Sequence, residues 1–256
     1  MSDLEDNVKR TMGDRSVPPT TRGGDTLVPV SQAPLHSIPI GSVPFHPFDQ
    51  FAPVAVHEGN LPHWQQSGAC YFVTFRLADS LPAGVLSQWR EERTIWHRLN
   101  PPPWNSRQHA EYEQRFIERE NEWLDAGHGS CHLREPRLRA LVQHSVRKFD
   151  GTRYHVDAFV IMPNHVHLLW QLAEDGELPK ELKGLKGATA RACNVELGCS
   201  GAFWMEESYD RIVRNAAELA SFRTYIAENP AKAKLRDGEF HVELRNKLYV
   251  REHEEQ

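Results

Sequence analysis

Beyond residue 60 the apolar positions of this chain recur with the periods of strands and helices; before it they do not. Order is expected to begin near Leu61-Pro62-His63-Trp64. Residues 69–77, rich in aromatic and β-branched side chains, read as a buried strand. Pro82, followed by Val85, Leu86 and Trp89, opens a helix to about Leu99, broken by Asn100 and the prolines after it. A very polar helix is expected over residues 106–124, ended at Gly127. Another spans 136–149, with Leu138, Leu141, Val142, Ser145 and Val146 on one face and Pro136 in the first turn. After the turn Asp150-Gly151, residues 154–162 and 166–172 read as two strands joined at Pro163-Asn164. A helix over 179–197 turns Leu182, Leu185, Thr189 and Ala192 inward, 209–213 suits a fourth strand, and 216–228 a last helix ended by Asn229-Pro230. The short link at 163–164 demands antiparallel pairing. The pattern predicts an α+β fold, a small antiparallel sheet backed by helices.

The first 57 residues lack any such period. Prolines recur at 18, 19, 29, 34, 39, 44, 47 and 53 with Gly, Ser and Thr between them, so a disordered leader is expected. A folded domain then covers 58–236, and a polar tail 237–256.

Composition narrows the class. No run of about 18 apolar residues exists, so no membrane span is expected, and the start of the chain lacks the basic and apolar pattern of a secretory signal. A cytoplasmic protein is the default. Cys70, Cys131, Cys193 and Cys199 form no Cys-x-x-Cys pair and read as reduced and structural. The net charge of −5 argues against a nucleic-acid partner only at first sight. Residues 1–60 hold seven acids and four bases, which leaves the rest near neutral with bases clustered locally.

Two stretches carry candidate chemistry. In Ile161-Met-Pro-Asn-His-Val-His-Leu-Leu-Trp170, strand alternation puts His165 and His167 on one face, with Val166 and Leu168 turned to the core. Two imidazoles side by side can bind one divalent metal. An isolated His-x-His is more often two partly exposed histidines, but this pair sits in an apolar strand, where polar groups need partners. In Ser221-Phe-Arg-Thr-Tyr-Ile-Ala-Glu-Asn-Pro230, Tyr225 and Asn229 lie one helical turn apart on the same face. The phenol suits a nucleophile and the amide oxygen a third metal ligand. Tyr209 is the rival nucleophile, without an amide at helical spacing.

At this point the chain resembles the REP-associated tyrosine transposases of the HUH (His-hydrophobic-His) superfamily of single-strand transposases. The resemblance is carried by Pro62-His-Trp-Gln-Gln, Tyr71-Phe-Val-Thr-Phe-Arg-Leu-Ala-Asp, Phe149-Asp-Gly-x-Arg-Tyr154, Val160-Ile-Met-Pro-Asn-His-Val-His-Leu-Leu, Gly201-Ala-Phe-Trp, Glu207-Ser-Tyr-Asp-Arg-Ile-Val-Arg and Tyr225-Ile-x-x-Asn-Pro-x-Lys-Ala. It covers roughly residues 60 to 236. It implies a ferredoxin-like catalytic domain with added helices, a Mg²⁺ or Mn²⁺ ion on His165, His167 and Asn229, and Tyr225 as nucleophile. The leader lies outside the family core, and Lys183-Gly-Leu-Lys-Gly-Ala-Thr is looser than the usual serine-containing helix start.

The expected reaction is a transesterification on single-stranded or hairpin DNA, of REP palindromes by resemblance, through a 5′-phosphotyrosine. DNA binding would associate the protein with the nucleoid. Lys180, Lys183, Lys186 and Arg191 on one helix, and Lys232, Lys234 and Arg236 after the tyrosine helix, are candidate phosphate contacts, with a solvated helix face as the plain alternative. Trp64, Trp170, Phe203 and Trp204 are candidates for stacking on bases, although most aromatics are core. Competing readings are a replication-initiator or relaxase-type nickase, a DNA-binding regulator without cleavage, and a zinc-binding structural protein. Monomer and homodimer are both open.

Overall fold

The computed structural model describes residues 45–49, 51–58, 62–101 and 104–245. Its elements in chain order are β1 (Ala55–Glu58), β2 (Pro62–Gln65), β3 (Cys70–Arg76), α1 (Ala83–Leu99), α2 (Ser106–Tyr112), α3 (Arg119–Asp125), α4 (Pro136–Arg147), β4 (Tyr154–Ile161), β5 (His165–Leu172), α5 (Leu178–Leu197), β6 (Tyr209–Ile212), α6 (Ala216–Lys232) and β7 (His241–Leu244).

The main sheet has five antiparallel strands in the order β6-β3-β5-β4-β7. Leaving out the edge strand β7, the chain order of the remaining four is fourth, first, third, second, which is the ferredoxin-like arrangement of an α+β fold. β5 lies at its centre, and every one of its residues is buried. Alternation sorts them. Val166, Leu168, Trp170 and Leu172 join Tyr71, Val73 and Phe75 of β3 under α4 and α5, which add Leu138, Val142, Val146, Leu182, Leu185 and Cys193. Leu169 shares the opposite face with Phe72, Val160 and Met162, and there α6 packs with Leu219 and Ile226. His165 and His167, odd-numbered like Leu169, lie on this second face.

α4 starts where expected, with Pro136 in its first turn, and α5 stops at Gly198, whose φ of 62° is the left-handed conformation that glycine adopts without penalty. On α5 Cys193, rather than the expected Ala192, reaches the core. The polar helix expected over 106–124 is interrupted by a π-helical segment, Glu113–Glu118, between α2 and α3. With α1 these pieces form an insertion between β3 and α4, with its own aromatic core of Trp89, Trp96, Tyr112, Phe116 and Ile117. The insertion is tied to the sheet through Arg76 Nε donating to Glu120 Oε1 at 2.8 Å and through the Arg211–Glu113 pair.

Three expected boundaries differ. The leader expected over residues 1–57 lies outside the described residues at 1–44 and 50, but β1 falls within it and pairs with β2, and Phe48 N donates to Val213 O at 2.9 Å. The tail expected from 237 contributes β7, which pairs with β4. Both added strands are four residues long, too short for alternation to show. Helix α6 does not end at Asn229-Pro230: it carries Pro230 inside and runs to Lys232, where the next backbone bonds are Ala233 N to Asn229 O and Leu235 N to Pro230 O. Proline withdraws a single donor there, and burial of Asn229 and Pro230 against the sheet outweighs that loss.

Trp170 is fully buried in the core under α4 and α5, with ring contact to Tyr154 at 4.8 Å. Truncation to alanine is expected to cost about 3–5 kcal/mol. Urea unfolding of Trp170→Ala measures it; a midpoint shift worth under about 1 kcal/mol would mean the core is not organised around this strand.

Candidate active site

The site grows out of the β4–β5 hairpin. Met162 N donates to His165 O at 2.9 Å, which closes the turn and sets the register of β5. His165 and His167 are 1% and 0% exposed, and their Nε2 atoms are 3.0 Å apart. Each Nδ1 has a partner behind it. Asn164 Oδ1 is 2.8 Å from His165 Nδ1, and Thr74 Oγ1 is 2.7 Å from His167 Nδ1. The Asn164 orientation is fixed, because its Nδ2 donates to Leu124 O and His128 O. Its oxygen therefore accepts from His165 Nδ1–H, which leaves the lone pair on Nε2. The Thr74 hydroxyl can accept from His167 Nδ1–H, so both rings can present Nε2 lone pairs to one point.

Burial holds both rings neutral: the His165 imidazole is pushed down to about 3, and His167 lies well below the usual histidine range through burial and then the neighbouring His165. Neutral rings are the form that ligates metal.

Helix α6 lays Tyr225 across this pair. Its hydroxyl is 3.4 Å from His167 Nε2 and its ring stands edge-on to the imidazole at 5.0 Å. Phe72 packs against His167, Phe222 and Tyr225 at 5.5, 4.3 and 5.8 Å and so wedges helix and strand together. Burial raises the Tyr225 phenol above the ordinary tyrosine range, the Asp125 charge adds to this, and the Asn229 amide opposes it. Asn229, one turn along, is 0% exposed, and neither its oxygen nor its nitrogen makes a regular hydrogen bond. A buried amide without a regular hydrogen bond is rare, and one beside the Tyr225 phenol has an oxygen of the kind that hard cations take as a ligand. Two ligands about 2.1 Å from one ion and at right angles stand about 3.0 Å apart, which is the Nε2 separation found here. Among the described residues no three His, Cys, Asp or Glu side chains converge into a metal cluster, so the amide is needed to extend the pair.

The other sequence candidates divide. Lys232, at the end of α6, stands 5.3 Å above the Tyr225 ring. Lys183 and Arg191 are exposed on α5, across the sheet from the histidines. Lys180 is exposed on the same helix, and Lys234 and Arg236 are exposed after α6. Lys186 is not a free surface amine: it donates to Glu206 O and Ser208 Oγ at 2.8 Å, and burial, then Arg76, pushes it down to about 8. Trp170, Phe203 and Trp204 are core residues, which removes them as stacking platforms, and the Trp64 side chain lies outside the described residues. Tyr209 sits on the edge strand among Glu113, Arg211 and Asp210, with its phenol raised chiefly by burial.

Thr74, Asn164 and Asp125 were not among the sequence candidates. Thr74 is brought to His167 by the β3–β5 register, which pairs the two residues. Asn164 was visible only as a turn residue. Asp125 ends α3 with Oδ1 buried, lacking a hydrogen bond and 4.0 Å from His165 Nε2; burial raises it to about 6.

Fold and site together define an antiparallel α+β domain with two buried imidazoles, a phenol and an amide at one point. Residues 133–229, which contain all four side chains, match the family model described as transposase IS200 like. The REP-associated tyrosine transposase of Escherichia coli (strain K12) is 24% identical over 94 residues, 36% of this chain and 54% of that protein. The chain thus matches about half the length of that curated relative. A solved structure of a REP-associated tyrosine transposase bound to a REP hairpin is similar at 16% identity over 66% of this chain and 71% of that one, with a TM-score of 0.38. The resemblance read from the sequence motifs is borne out by the family model and the curated relative.

One ion pair holds the tyrosine helix down. A β-bulge in β4 between Val156 and Ala158 leaves Asp157 facing α6, where both its oxygens accept from Arg223, at 2.7 and 2.6 Å. Asp157→Asn is expected to lower stability by about 1–3 kcal/mol. Thermal unfolding checks it, and an unchanged melting temperature would show that Phe72 packing alone seats the helix.

Proposed function

We propose that this protein cleaves and rejoins single-stranded DNA, with REP-type palindromic hairpins as substrate, through a covalent 5′-phosphotyrosine at Tyr225. The observation that carries this reading is the Tyr225 hydroxyl 3.4 Å from His167 Nε2, within a buried imidazole pair flanked by an amide lacking hydrogen bonds.

Tyr225 oxygen attacks the phosphorus in line. The bond to the 3′ oxygen breaks, and that oxygen leaves as a 3′-hydroxyl after taking up a proton. A second 3′-hydroxyl then attacks the phosphotyrosine, forms a new phosphodiester and returns the phenol. The phosphodiester is conserved at each step, so no nucleotide cofactor is consumed. His165, His167 and Asn229 are the residues that would hold a divalent cation, Mg²⁺ or Mn²⁺, which when bound stabilises charge developing on the phosphate. Asn164 and Thr74 orient the two rings from behind. Phe72 and Phe222 hold the tyrosine helix against the strand and help exclude water. Burial, then the Asp125 charge, disfavours the phenolate in the unliganded chain, so the Tyr225 proton must be given up in the course of the attack.

The experiment is incubation with single-stranded hairpin DNA and Mg²⁺ or Mn²⁺, followed by denaturing electrophoresis. The wild-type chain is expected to yield a covalent protein–DNA species. Tyr225→Phe is expected to yield none while retaining hairpin affinity within a few-fold. Adduct formation by Tyr225→Phe at the wild-type rate would move the nucleophile to Tyr209. No adduct from the wild-type chain across a broad set of hairpins would favour a binding-only regulator.

Lys232 is the candidate phosphate contact nearest the nucleophile, while Lys183, Lys186 and Arg191 belong to the far helix layer. Lys232→Ala is expected to weaken hairpin binding at low salt and to reduce the slope of log affinity against log salt by about 0.7–0.9. Lys183→Ala is expected to change that slope less. A larger slope change for Lys183→Ala than for Lys232→Ala would place the DNA across the far layer instead.

A further inference from the structure

The helical insertion ends inside the site. Asp125 is the last residue of α3, and its neighbours lock it there. Leu124 is 1% exposed, and its carbonyl accepts from Asn164 Nδ2. Past the helix the chain turns sharply through Gly127 and Gly129, both at positive φ. Gly129 passes so close to the Asp79 backbone that an added Cβ would lie 2.4 Å from its oxygen, and Ser130 N donates to Asp79 Oδ2 at 2.7 Å. The Asn164 amide bonds to the carbonyls of both Leu124 and His128, so one side chain orients His165 and anchors the segment carrying Asp125.

We propose that Asp125 supplies a carboxylate ligand to the cation held by His165, His167 and Asn229, so that the α1–α3 insertion completes the metal set. The inference rests on the metal-dependent reading above. Three observations carry it. The Oδ1 atom is buried, lacks a hydrogen bond and lies 4.0 Å from His165 Nε2. Ligands on one octahedral ion stand about 3.0 Å apart when adjacent and about 4.2 Å when opposite, and this separation is close to the second. The second is Asn229, a fully buried amide whose two polar atoms also lack hydrogen bonds and which extends the same helix face as Tyr225. The third is charge: two imidazoles and an amide are neutral donors, and one carboxylate gives a hard divalent ion an anionic oxygen of the type it prefers. As they stand His165, His167 and Asp125 do not converge on one point, but the last torsion of aspartate is broad, so a turn of the carboxylate brings its oxygen toward the pair. Around Asp125 lie His165 of β5 at 4.0 Å, Tyr225 and Lys232 of α6, and Glu122 of its own helix; Lys232 favours the charged carboxylate and Glu122 opposes it.

The test is Mn²⁺ binding by the full chain at neutral pH, followed by electron paramagnetic resonance and by calorimetry, without DNA. Asp125→Ala is expected to weaken Mn²⁺ at least tenfold, and Asp125→Asn, which keeps an oxygen but no charge, by less. The Asn variant has nearly the shape of the original, so it reports on the ligand if the Ala variant unfolds. His165→Ala serves as the reference for the site as a whole. If His165→Ala loses Mn²⁺ while both Asp125 variants bind as tightly as wild type, the Asp125 proposal fails and the metal reading stands. If the wild-type chain binds no Mn²⁺, or His165→Ala binds it unchanged, both fail. Loss of DNA cleavage in Asp125→Asn with unchanged Mn²⁺ affinity would overturn the ligand role in favour of proton transfer.

Discussion

The central strand of the sheet is buried on both faces and still carries two imidazoles, and most of the site follows from that constraint. A polar ring in a dry interior must be paired, and each of these four ring nitrogens has a neighbour. Thr74 and Asn164 take the Nδ1 atoms from behind. The two Nε2 atoms are left facing one another at 3.0 Å, toward Tyr225. Neither lone pair can be satisfied by the other unless a proton or a cation lies between them. A strand exposed on one face would have let water fill that role. Helix α6 denies it by closing over the pair with Phe222, Tyr225 and Asn229.

Three distant parts of the chain are brought to that point by different forces. Packing of Phe72 and the Asp157–Arg223 fork seat α6. Register delivers Thr74, since β3 and β5 pair it with His167. Backbone carbonyls held by Asn164 deliver the end of α3. The bulge in β4 is the local irregularity that makes the second of these layers fit the first: one extra residue lets Asp157 reach α6 while Val156 and Phe159 remain in the core beneath α4 and α5. The matched family segment begins at Leu133, so β3 and the whole insertion lie outside it. Thr74 and Asp125 thus reach the site from outside the matched segment, one by strand register and the other by tertiary packing.

What was legible in the sequence was whatever has a local period. Alternation put His165 and His167 on one face, and helical spacing put Tyr225 beside Asn229. Both hold, because β5 and α6 are long and strongly patterned. Asp125 and Thr74 carry no local signal: one ends a polar helix, the other sits in an apolar strand, and only cross-strand register or tertiary packing joins them to the site. The Asn229-Pro230 stop failed because proline removes one donor in the last turn, which a buried helix end tolerates. Trp170 and Trp204 illustrate the opposite limit. Composition makes any tryptophan a stacking candidate, yet both are needed to fill the space under α4 and α5.

The same burial that holds the histidines neutral makes the tyrosine a poor acid. Tyr225 lies among groups that oppose its ionisation, with burial the largest and the Asp125 charge next. The imidazoles cannot relieve this by carrying positive charge, since burial holds both neutral. Lys232 lies over the ring face, where it interacts with the π system rather than bonding to the hydroxyl oxygen. A positive charge placed at the Nε2 pair would oppose both effects on the phenol.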